Sequence, residues 1–78
     1  MANYLKGKNQ AYYNKHSSRI TSKTATRAEK AYSYAWYLGF HEVWDDDGIN
    51  DIRHCKSSFE KTAYKRGQKF AKKVIDDN

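Results

Sequence analysis

Two short spacings constrain this chain more than any other feature. Ala35 and Gly39 stand four residues apart in one stretch, and Ala63 and Gly67 repeat the pattern in another. Four residues make about one helical turn, so each pair sets two small side chains on one face, where a second backbone can come close. Glycine inside a helix costs about 1 kcal/mol relative to alanine, a cost that a tight crossing of the two stretches offsets. Trp36, Tyr37 and Tyr64 then close the sides of the crossing, and packing explains the echo better than a ligand does.

Both stretches carry helix start signals. Thr26-Arg27-Ala28-Glu29 is a capping box, in which the threonine oxygen takes an orphan amide and Glu29 reaches back to the cap; Ser57-Ser58-Phe59-Glu60 is a second. From the first box, Ala28, Ala31, Tyr32, Ala35, Trp36, Leu38, Gly39 and Val43 share one arc, the apolar stripe of a helix over about 27–41. Gly39 followed by Phe40 also reads as an early C-cap, and the sequence leaves both endings open. From the second, Phe59, Ala63, Gly67, Phe70, Ala71 and Val74 share a face over about 58–75. No proline interrupts either helix.

The fold expected is therefore all-α: a two-helix hairpin, 27–41 and 58–75, within a single helical domain 24–78 that contains an acidic loop at 43–56. Residues 1–23 show no sustained hydrophobic period and read as a basic arm with room for one short helix near 9–15. A chain of 78 residues buries only about 60% of its unfolded surface, which makes a deep catalytic cleft hard to house. Seven tyrosines and two tryptophans supply contact area from few positions, and pairing into a homodimer would enlarge so small a core.

Charge is distributed in blocks. The net value is +6, with seven bases against Glu29 in residues 1–30, five acids against Arg53 in 31–55, and seven bases against three acids in 56–78. Two basic blocks around an acidic loop suit a phosphate-rich partner. On the helix over 58–75, Lys61, Lys65, Lys69 and Lys72 fall within about 80° of one another, bordered by Arg66 and Lys73, and form a ribbon opposite the apolar stripe. Such a ribbon can neutralise phosphates and release counterions, although a solvated helix face looks the same. On the first helix, Arg27, Lys30, Tyr34, Tyr37 and His41 form a second stripe, with Tyr34 and Tyr37 outside the arc the core needs. Tyrosines between cations stack on bases or anchor a protein partner. Alternatively the arm folds over them, with Tyr12, Tyr13 or Ile20 as the cover.

Other chemistry finds little support. Asp45, Asp46, Asp47 and Asp51 lie near His41 and His54, but an EF-hand register with Gly48 at its sixth position puts Val43 first and His54 where the bidentate glutamate belongs. An acidic turn is the better reading, and no metal or cofactor is expected. No phosphate loop, zinc-finger spacing or nucleophile motif occurs, so no catalytic residue is assigned. The lone Cys55 suits a buried thiol in a reducing compartment. With no apolar run of roughly 18 residues and no secretory signal, the chain is expected in the cytoplasm, away from membranes.

Ala35, Gly39, Cys55, Gly67 and Ala71 also carry a resemblance. A basic start, a helix with Ala and Gly four apart, a cysteine-containing linker, and a second helix with Gly and Ala four apart resemble the ribosome modulation factor family over about 31–75. The chain departs from it in lacking a proline after Cys55 and in having Phe59 and Phe70 where tryptophans are expected. The resemblance implies a two-helix protein that binds ribosomal RNA. In size and lack of proline the chain also looks like small phage-encoded proteins that bind and inhibit a host machine. The function expected is that of a small regulatory, non-catalytic protein binding nucleic acid, RNA ahead of DNA, through Lys61, Lys65, Lys69, Lys72, Arg27 and Lys30. The alternative is a module that captures a host protein through Tyr34, Tyr37 and His41.

Overall fold

The structure, a computed structural model, describes residues 5–45 and 52–77. Three α-helices account for most of them: α1 (Gly7–Thr21), α2 (Arg27–Trp44) and α3 (Ser58–Asp77), with a 3-10 turn at Ile52–His54 before α3. There is no strand among the described residues. The segment expected as a loop at 43–56 begins inside α2, and Asp46, Asp47, Gly48 and Asp51 lie outside the described residues.

The capping box at Thr26 forms in full, whereas at Ser57 only the half in which the serine oxygen caps the Glu60 amide is seen. The Thr26 hydroxyl accepts from the Glu29 amide at 3.1 Å, and the Thr26 amide donates to Glu29 Oε1 at 2.9 Å. These bonds, the Thr26 amide foremost, hold the Glu29 carboxyl below its usual range. At α3 the Ser57 hydroxyl accepts from the Glu60 amide at 3.2 Å, and Glu60 turns its carboxylate to that same hydroxyl, 3.1 Å away. Neither Gly39 nor Phe40 ends α2, which continues to Trp44.

The small-residue echo does what its spacing implies. A Cβ on Gly39 would collide with the main-chain carbonyl of Tyr64, and one on Gly67 with that of Trp36. Each glycine therefore makes room for the other helix's backbone. Ala35, Ala63, Tyr64 and Ala71 are buried around the crossing. Beneath it the Tyr64 hydroxyl donates to the Glu42 carboxylate, which also accepts from Gln68 Nε2 at 2.9 Å.

The pairing of helices differs from the expected hairpin in two respects. Partners on α3 do not descend steadily as α2 is followed: Tyr32 meets Phe59 and Arg66, Trp36 meets Gly67 and Phe70, Gly39 meets Tyr64, and Phe40 meets Phe70. Descending partners are what an antiparallel hairpin requires, so α2 and α3 cross at their glycines instead. The long connection from Trp44 to Ser58 leaves the chain free to do this. The antiparallel pair is α1 with α2, joined by the short link after Thr21: Tyr13 meets Phe40 and His41, whereas His16 meets Tyr32 and Ser33.

The second difference is α1 itself. The expected arm is a helix of 15 residues packed on α2. Gly7 opens it at φ 60, a left-handed backbone that glycine adopts without strain. His16 is buried, its ring stacked on Trp36 at 4.2 Å between centroids, and Trp36 stacks on Phe40 at 5.4 Å. With α1 in place the buried arc of α2 keeps Trp36 as expected and extends to Ser33 and Phe40, while Ala28 remains exposed. Cys55 is buried with this core, as expected of a structural thiol.

Candidate nucleic-acid interface

Burial of one face of α3 at the glycine crossing leaves the opposite face to solvent. Lys61, Lys65, Lys69 and Lys72 are all exposed, as are Arg66 and Lys73 beside them. Among the described residues none of these six cations is ion-paired to a carboxylate. A helix rises about 1.5 Å per residue, so Lys61 to Lys73 forms an open row of charge about 18 Å long.

One shoulder of that row belongs to a groove. Lys8, Asn9 and Tyr12 from α1 face Arg66, Lys69, Phe70 and Lys73 from α3 across a space of about 600 Å³. Its floor is aromatic: the rings of Tyr12 and Phe70 lie 4.9 Å apart, and both touch Trp36 beneath. Its rim is cationic, with no carboxylate lining it among the described residues. Arg66 is held in place, its Nη1 donating to the Tyr32 hydroxyl at 2.9 Å. Lys69 belongs both to the row and to the groove.

The cations of α2 do not join this surface. Around α2, Arg27 stands roughly 120° and Lys30 roughly 180° from Gly39, so both point away from the side that meets α3. Arg27 is exposed and Lys30 half-buried. Tyr34 is 52% exposed and forms a shallow notch with Ser17, Ile20, Thr21 and Tyr37.

Tyr37 and His41, by contrast, are partly covered by α1. Tyr13 brings its ring to 6.1 Å from Tyr37, and its hydroxyl lies 2.7 Å from His41 Nε2. His41 Nδ1 is 3.1 Å from Asp45 Oδ2. A carboxylate only accepts, so in the neutral ring the Nδ1 proton goes to Asp45 and Nε2 accepts from Tyr13. Burial foremost, then Tyr37 and Asp45, push the Tyr13 phenol well above its ordinary value, so it acts as a donor. His41 thus ties α1 to the end of α2.

No cluster of His, Cys, Asp or Glu able to hold a metal occurs among the described residues. No helix among them is long and apolar enough to cross a membrane. Comparison of the chain with family models, curated proteins and solved structures found no match.

Sequence reasoning missed Lys8 and Tyr12 as site residues and treated Arg66 and Lys73 only as borders of the ribbon. Asn9, Tyr13, His16 and Ile20 follow a four-three-four spacing that marks the half-buried side of α1, with His16 its buried centre. Hydrophobicity alone hides it, because Asn and His count as polar.

Proposed function

We propose that this chain is a small, non-catalytic regulatory protein that binds nucleic acid, RNA ahead of DNA, through the exposed face of α3. The observation that carries the reading is the row of Lys61, Lys65, Lys69 and Lys72, exposed and without an ion pair among the described residues, running into a groove whose floor is aromatic. Exposed cations neutralise phosphates and displace the counterions condensed on the nucleic acid, and releasing those ions drives binding. Aromatic rings beside the cations suit bases. The resemblance to the ribosome modulation factor family points the same way. Arg27 and Lys30, on the far side of α2, act as secondary phosphate contacts.

One observation favours a second reading. Tyr34 is a large aromatic half in solvent beside an apolar notch, a feature suited to anchoring a host protein, with Tyr37 lining the notch and His41 packed on Tyr37. Capture from a bacterial lysate with and without nuclease separates the two. The first reading expects nucleic acid to be recovered with the protein, and any captured protein to disappear after nuclease treatment. Nuclease-resistant capture that Tyr34→Ala abolishes would replace it with the second.

A further inference from the structure

We infer that the groove between α1 and α3 seats an unpaired base of a single strand, with the base on Tyr12 and Phe70 and its flanking phosphates on Lys8, Arg66, Lys69 and Lys73. The inference rests on nucleic-acid binding as the function and names the form of nucleic acid the site takes. Four cations from two helices surround the groove, no carboxylate among the described residues lines it, and its volume of about 600 Å³ falls within the range of small-molecule sites. Charge alone would serve any polyanion. The floor is what discriminates.

Tyr12 is 43% exposed although its ring contacts His16, Trp36 and Phe70, so one surface is fixed by packing while another stays open. A ring immobilised in advance loses little entropy when a base stacks on it. A duplex offers this floor nothing, because its bases are already stacked on one another and only phosphates reach the rim. A free nucleotide would fill the groove and leave the α3 row unused. Lys69 lies in the groove and Lys65, Lys61 and Lys72 continue from it, so the charge extends beyond one nucleotide and matches a strand.

The arrangement is tested with the intact chain and four probes at one salt concentration: an oligouridylate of about ten nucleotides, an abasic strand and a duplex of the same length, and uridine monophosphate. The oligouridylate is expected to bind about tenfold or more tighter than the abasic strand or the duplex, and far tighter than the mononucleotide. Amide shifts in the presence of oligouridylate should concentrate at Lys8, Asn9, Tyr12 and 66–73. Tyr12→Ala should bring the oligouridylate down to the abasic level while Tyr12→Phe keeps the preference. Should Tyr12→Ala lose its helicity, the abasic comparison and the shift map decide alone.

Equal affinity for oligouridylate, abasic strand and duplex would overturn the base-seating inference and leave nucleic-acid binding standing. So would shifts confined to other surfaces. A mononucleotide bound as tightly as the strand would assign the groove to a free nucleotide instead. Failure to bind any of the four would overturn both the inference and the function it rests on.

Discussion

The imidazole of His16 lies face to face with the indole of Trp36, 4.2 Å between centroids and 17° from parallel. Burial, with Arg19 and Lys15 nearby, lowers the His16 pKa to about 4, so the ring is neutral in the folded protein at neutral pH. An unfolded chain protonates histidine near pH 6.5.

This difference fixes a sign. Between about pH 6.5 and 4 the unfolded chain binds the extra proton, so stability is full above that window and falls as pH drops through it. The total loss is on the order of 3 kcal/mol. Urea midpoints at pH 7.5 and 5 are expected to differ markedly for the natural chain and much less for His16→Phe, which keeps an aromatic ring on Trp36. Equal slopes in the two proteins would show that His16 is not the titrating group.

The three described glycines should respond differently to one substitution. Gly39→Ala and Gly67→Ala each force the α2–α3 backbones apart and are expected to cost roughly 2 kcal/mol or more, even after alanine's better helix propensity is counted. Gly7→Ala meets open space and loses only about 1 kcal/mol, to its left-handed backbone. Thermal melts rank the three directly.

Removing the Tyr13 hydroxyl tests whether α1 is part of the fold. Tyr13→Phe leaves the ring on Phe40 and deprives His41 Nε2 of its donor, an expected loss of about 1 kcal/mol. Hydrogen exchange should also speed up along α1 more than along α3. No change in either would mean that α1 is held by its rings alone.

Much of this fold was legible because its signals are local. Thr26 with Glu29 and Ser57 with Glu60 marked the two helix starts, and Ala35–Gly39 with Ala63–Gly67 marked the crossing. Hydrophobic periodicity shows that a helix is amphipathic but not which helix covers it. Hence α1 reads as an arm: its half-buried side is Asn9, Tyr13 and Ser17 as much as Ile20, and His16 is buried because Trp36 and Ser33 receive it. For the same reason the ribbon on α3 could be read from spacing, whereas the groove could not. Lys8 and Tyr12 reach Lys73 and Phe70 only through tertiary packing.

The α3 row is tested most directly by a salt titration of single-stranded RNA binding with the natural chain and the triple variant Lys65→Gln, Lys69→Gln, Lys72→Gln. All three side chains are exposed, so the variant should keep its helicity and melting temperature. Affinity of the natural chain should fall steeply with salt, and the variant should lose most of it, with the slope of log affinity against log salt shallower by about 2. An affinity and slope unchanged in the variant would contradict phosphate binding by α3.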